Sequence, residues 1–164
     1  MPRRAFPALI VAALLLAGCS AKADSGSCSY DTQTDGVTVT GQAGEQPEIT
    51  LQEGAQPPDS LVALDLCPGD GEAATATSTL TVDYVGMAWS TGEVFDSSFV
   101  GGGPAQFPLA NVVAGWQQGL QGMQVGGTRL LIIPPDLAYG SAGRPPVIAG
   151  DETLVFVVDL IEVQ

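Results

Sequence analysis

The stretch from Ala114 to Met123 constrains this chain more than any other. Trp116, Leu120 and Met123 recur at i, i+4 and i+7, the spacing of one helical face. Gly115, Gly119 and Gly122 lie among them, and each weakens a helix by about 1 kcal/mol relative to alanine. A helix so short and so rich in glycine forms only if its tryptophan packs against a sheet. The flanking sequence supplies the strands. Leu80 to Val85 alternates, with Leu80, Val82 and Tyr84 on one face. Arg129 to Ile133 is a second apolar run, closed by Pro134-Pro135. Leu154 to Val163 is the third and longest, with Leu154, Phe156, Val158 and Leu160 sharing a face. Hydrophobic residues make up 45% of the chain, enough for a core. The expected fold is α+β, an antiparallel β-sheet wrapped around one short α-helix, over residues 61–164.

Ahead of that domain, residues 30–60 carry two short β-prone stretches, Val37 to Thr40 and Glu48 to Leu51, joined by a turn-rich Gly41 to Pro47. So short a segment cannot bury a core of its own. It reads as a β-prone N-terminal extension packed on the main domain, with a disordered linker as the alternative. Residues 19–29 are small and polar and read as a tether. Arg3 and Arg4 precede an apolar run from Ala5 to Ala17, the pattern of a secretory signal peptide over residues 1–18. The run is shorter than the roughly 20 residues that span a bilayer. It ends in Leu16-Ala17-Gly18-Cys19, which resembles the bacterial lipobox, so Cys19 is the expected lipidation site and membrane anchor. An ordinary cleaved signal, or a short anchor with an incidental cysteine, is the alternative.

Cys28 and Cys67 remain. In an oxidising compartment they are candidates for a disulfide that staples the extension to the first strand of the main domain; two free buried thiols is the other reading. There is no histidine, which rules out histidine triads and histidine-ligated zinc, and no metal or cofactor is expected. With 5 Lys and Arg against 18 Asp and Glu, nucleic acid is an unsuitable partner. The Gly101-Gly102-Gly103 run lacks the Gly-Lys-Ser/Thr of a phosphate loop and reads as a flexible loop.

Six motifs then fall in a telling order. They are Leu66-Cys67-Pro68-Gly69-Asp70-Gly71, Val82-Asp83-Tyr84-Val85-Gly86, Gly92-Glu93-Val94-Phe95-Asp96-Ser97-Ser98, Val112-Val113-Ala114-Gly115-Trp116 with Gly119-Leu120, Pro135-Asp136-Leu137-Ala138-Tyr139-Gly140, and Leu154-Val155-Phe156. Order and spacing resemble the FKBP-type peptidyl-prolyl cis–trans isomerases, over about Leu61 to Gln164. The resemblance implies rotation about the peptide bond preceding proline, a reaction that breaks no bond and needs no cofactor.

By that resemblance Trp116 is the floor of an apolar pocket, and Tyr84, Phe95 and Phe156 are its walls. Phe107, Val112, Val113 and Ile148 extend the lining. Asp96 sits at the edge as a hydrogen-bond acceptor, and Tyr139 offers its hydroxyl to the substrate carbonyl. The backbone N–H of Ile148 is expected to be a further donor. Phe95 and Asp96 are adjacent, so in a regular strand their side chains point apart. From composition alone, Trp116, Tyr84 and Phe156 read equally as plain core, Asp96 as a solvated turn residue and Tyr139 as a turn aromatic. Arg144-Pro145-Pro146 occupies a flap, where Arg144 reads as loop decoration. Ala105 stands where the family often has an aromatic, which implies one open wall and leaves the strength of macrolide binding open. The expected partners are proline-containing segments of exported proteins, with macrolide inhibitors as further ligands, for a monomer anchored outside the cytoplasmic membrane. A non-catalytic binding module for the same segments is the rival reading.

Overall fold

The computed structural model describes residues 28–164. The expected signal peptide, the expected lipidation site Cys19 and most of the expected tether lie outside the described residues. Two antiparallel sheets are stacked. The larger is built from β4 (Val62–Cys67), β5 (Thr79–Ala88), β6 (Val94–Ser97), β7 (Ala105–Pro108), β8 (Thr128–Ile133) and β9 (Leu154–Val163). Its order is β4-β8-β9-β5-β6, with β7 also paired to β5. β6 and β7 share one edge of β5, opposite Val85–Met87 and Thr79–Val82 respectively. Between them the chain leaves the sheet for a single helical turn, α1 (Ser98–Gly101), which takes in only the first glycine of the expected Gly101–Gly103 loop. The Tyr84 N–H facing this gap donates to Ser98 Oγ at 3.0 Å, and the Ser98 hydroxyl donates to Asp83 at 2.7 Å. A side chain thus replaces the missing ladder bond.

The helix α2 (Ala114–Gly119) crosses the front of this sheet. It ends before the Met123 that periodicity reached, because Gly122 adopts a left-handed φ of 75°. The glycines that weaken this helix also seat it. A Cβ on Gly115 would lie 2.3 Å from Ile133 Cγ2, and one on Gly119 would lie 2.6 Å from Leu131 Cδ2. Only a helix face without side chains can approach β8 so closely. Arg129 holds the arrangement from the side. Its guanidinium donates to Asp65 on β4 at 2.6 and 3.1 Å, and to the Gly119 carbonyl at the end of α2 at 2.7 Å. Trp116, Leu120 and Met123 join Leu80, Val82, Leu131, Ile133, Leu154, Phe156 and Val158 in the front core.

The back of the sheet is covered by the extension, a three-stranded sheet of order β1-β2-β3 rather than a linker. β2 (Val37–Gln42) and β3 (Glu48–Leu51) contain the two expected stretches, while β1 (Ser29–Thr34) begins one residue inside the expected tether. Asp35 and Gly36, both at positive φ, make the β1–β2 hairpin turn. Tyr30, Val37 and Val39 pack against Cys67, Met87, Leu130, Ile132, Val155 and Val157 in a second core. A disulfide joins Cys28 to Cys67 across the two sheets, with Cα atoms 6.0 Å apart.

One carboxylate is buried between the sheets. Asp159 on β9 accepts hydrogen bonds from the Thr128 hydroxyl and, at 3.0 Å, from the Gly44 N–H of the extension. Burial raises its pKa above the ordinary aspartate value, outweighing those two bonds, and Asp83 nearby adds to the rise. The nearby Tyr30 phenol is pushed up to about 12, chiefly by burial and secondarily by Asp159 and Glu45.

Two outcomes follow. Replacing Cys28 by Ser and Cys67 by Ala opens a loop of 39-residue separation and should lower unfolding stability by roughly 2–4 kcal/mol, measured by denaturant titration. A raised folded-state pKa at Asp159 means that the folded chain binds the extra proton. The associated stability is therefore full below the ordinary aspartate pKa and is lost as pH rises through the folded-state value. Thermal melts of the wild type should fall over that window, and Asp159→Asn should flatten part of the slope.

Candidate active site

A cleft of about 620 Å³ opens between the front of the sheet, α2 and the loops after β7 and β8, a size suited to a small apolar group with its flanking chain. All ten residues expected to form a pocket line it: Tyr84, Phe95, Asp96, Phe107, Val112, Val113, Trp116, Tyr139, Ile148 and Phe156. Asn111, Arg144 and Val147 line it as well. Asn111 and Val147 have no aromatic or acidic signature that would single them out in a sequence. Arg144, expected as loop decoration, belongs to the wall.

Trp116 is 5% exposed. Tyr84, Phe107 and Phe156 surround it at ring-centroid distances of 5.7, 5.6 and 5.3 Å, with interplanar angles of 85°, 83° and 85°. The three rings stand upright around the indole, each meeting it in the favourable edge-to-face arrangement. Phe95 continues the wall, perpendicular to Phe156 at 5.6 Å. These rings come from β5, β6, β7 and β9, so the sheet's curvature around α2 fixes their spacing.

Phe95 and Asp96 do not point apart; both reach the cleft. The β5–β6 register breaks between Gly86 and Met87, which pair with Asp96 and Val94 and leave Phe95 as an extra residue. A β-bulge of this kind interrupts the alternation and re-aims a side chain. The glycine opposite is required. A Cβ on Gly86 would lie 2.6 Å from the Phe156 ring and 2.8 Å from the Phe95 ring.

The polar groups are few. The Tyr84 hydroxyl donates to Asp96 Oδ2 at 2.7 Å. Burial, and then this bond, raise the Tyr84 pKa well above the ordinary phenol range, so the phenol stays a donor at neutral pH. Asp96 itself is exposed at the rim. Tyr139 is half-buried, and its hydroxyl has no partner among the described residues. The Ile148 N–H, expected to be available to a ligand, is already used. It donates to the Arg144 carbonyl at 3.0 Å, while the Arg144 N–H donates to the Ile148 carbonyl at 2.8 Å. This closed turn shapes the flap and removes the donor. The Val113 N–H, at the start of α2 in the same lining, has no acceptor among the described residues. Ala105 packs against the front core but does not line the cleft.

Residues 70–161 match the family model described as FKBP-type peptidyl-prolyl cis-trans isomerase. The chain belongs to the FKBP-type peptidyl-prolyl cis–trans isomerases. It is 51% identical over 122 residues to an FK506-binding protein of Streptomyces anulatus, a match that spans 73% of this chain and 98% of the relative. A probable FK506-binding protein of Corynebacterium glutamicum is 48% identical over 117 residues, spanning 71% and 98%. Among solved structures, a peptidyl-prolyl cis-trans isomerase from Pseudomonas syringae superposes with a TM-score of 0.60 at 37% identity, covering 65% of this chain and 77% of that one. In this FKBP domain five of the six motifs converge on one indole, while Leu66 to Gly71 lies away from the cleft.

The bulge geometry carries its own test. Gly86→Ala should force the Phe95 and Phe156 rings into the cleft. We expect about 1–3 kcal/mol of lost stability and at least a tenfold drop in isomerase kcat/KM, read by chemical denaturation and a peptide assay on the same preparation.

Proposed function

We propose that the cleft receives the proline of an X-Pro segment with its ring over Trp116, and that catalysis comes from what the cleft withholds. A planar amide owes its rotation barrier of roughly 18–20 kcal/mol to resonance, which also polarises its carbonyl. Half-way through rotation that polarisation is largely gone. Water stabilises the planar form more than the twisted one, so moving the bond among aromatic rings favours the twisted form relatively. An enzyme accelerates only through such a difference. No nucleophile is called for.

The directed polar groups complete the role. Tyr139 donates to the carbonyl near the proline. The Val113 amide takes the donor role that the Ile148 amide cannot. Asp96, steadied by Tyr84, accepts at the rim and holds the substrate's position. The observation that carries this reading is the single indole floor ringed by three upright aromatic side chains. Macrolides of the kind named in the relatives compete for the same apolar cleft, with reduced affinity because Ala105 supplies no ring.

The clients are proline-containing segments of exported proteins, met outside the cytoplasmic membrane by a monomer anchored through lipidated Cys19. Support comes from the basic, apolar and lipobox-like order of residues 1–19 and from the Cys28–Cys67 disulfide, which suits an oxidising compartment.

In a protease-coupled assay on a short X-Pro peptide, the wild type should accelerate isomerisation. Asp96→Ala should lower kcat/KM about tenfold and Tyr139→Phe about three- to tenfold, the range of one directed hydrogen bond, with unchanged circular dichroism. A wild-type rate equal to the uncatalysed one points to a binding module instead, and wild-type rates in both variants overturn the assigned roles.

A further inference from the structure

A second groove of about 490 Å³ runs along the outer side of the same wall. It lies between the β5–β6 hairpin and the flap, and it shares Phe95, Val147 and Ile148 with the cleft over Trp116. We propose that this groove binds client residues flanking the isomerised proline, so that the enzyme reads an extended chain rather than the X-Pro pair alone. The inference rests on the isomerase reading of the cleft and adds a substrate subsite to it.

Three observations support it. First, the lining, which is mixed with Ser90, Thr91, Glu93 and Glu152, carries exposed apolar side chains. Val94 and Val147 are 52% and 57% exposed, and both line the groove together with Pro145 and Pro146. Valines so accessible beside prolines form a surface that gains by losing water. Second, the groove is preformed. The Trp89 N–H donates to the Thr153 carbonyl at 3.0 Å, and Ser90 donates its N–H and hydroxyl to the Glu152 carboxylate at 2.8 and 2.6 Å. Glu152, only 6% exposed, thus fastens the hairpin to the chain leading into β9. The opposite wall is held by the reciprocal Arg144–Ile148 bonds of the flap. A groove with both walls fixed needs little ordering on binding. Third, it is continuous with the cleft. A chain whose proline sits over Trp116 meets Val147 at the boundary and has apolar surface on the far side.

The occupant is an extended client segment with an apolar side chain next to neutral or cationic residues. Glu93 and Glu152 are the charged groups of the lining, and they disfavour acidic neighbours.

The test compares isomerisation of a blocked tetrapeptide, Ala-Leu-Pro-Phe, with the same core extended by Leu-Ala-Lys at either end. One extended peptide should show a KM about tenfold lower than the tetrapeptide, the scale of one apolar side chain leaving water. Val94→Asp lies outside the cleft lining. It should return that KM to the tetrapeptide value and leave tetrapeptide kcat/KM within about twofold. The extended peptide, but not the tetrapeptide, should also shift the backbone amide resonances of Val94 and Ala149. Equal KM values for all peptides on the wild type, or an extended-peptide KM unchanged in Val94→Asp, overturn the subsite while the isomerase reading stands. No acceleration of the tetrapeptide by the wild type overturns both.

Discussion

The seating of α2 on β8 is the contact on which the rest depends. Gly115 and Gly119 present bare backbone to Ile133 and Leu131 at distances a side chain would not permit. That approach sets the depth of Trp116 in the sheet's concavity and therefore the distance at which rings from β5, β7 and β9 stand around it. Glycine costs helix stability in isolation, and the front core and the Arg129 clamp on the Gly119 carbonyl offset that cost. A helix of better intrinsic propensity would sit farther from the sheet and carry the indole out of the ring of aromatics.

The sheet can support such a contact because both its faces are dry. Leu154, Phe156 and Val158 face α2, while Val155 and Val157 face the extension. A strand buried on both sides reads as a continuous apolar run, which is why Leu154 to Val163 stood out as a strand while its second buried face did not. The extension completes the fold rather than the cleft: no residue of β1, β2 or β3 lines the site. Its link to the function runs through the rigidity of β5, β8 and β9.

Much of this was legible in the amino-acid order. The three long strands and the tryptophan-bearing helix followed from alternation and helical spacing, and ten of the thirteen lining residues from the family resemblance. What was hidden had local causes. β1 holds one large apolar side chain, Tyr30, in an otherwise polar strand, so alternation is faint; the Asp35-Gly36 pair was the readable signal, as a type of turn that joins hairpin strands. β6 and β7 are four residues each, too short for periodicity to register. The bulge at Phe95 arises from ring packing over Gly86, which no spacing rule encodes. The engaged Ile148 amide belongs to a flap whose closure depends on backbone bonds rather than side-chain type.

The arrangement needs no reactive group, since its action is a preference between two shapes of one amide. That preference requires the proline ring to rest on the indole, inside the ring of upright aromatics. Nuclear Overhauser contacts between the pyrrolidine protons of a bound X-Pro peptide and the indole protons of Trp116 measure this directly. The account predicts strong contacts to Trp116, Tyr84 and Phe156 and none to Trp89 on the opposite face. A bound peptide whose proline shows contacts only outside the cleft, with the indole silent, would contradict it.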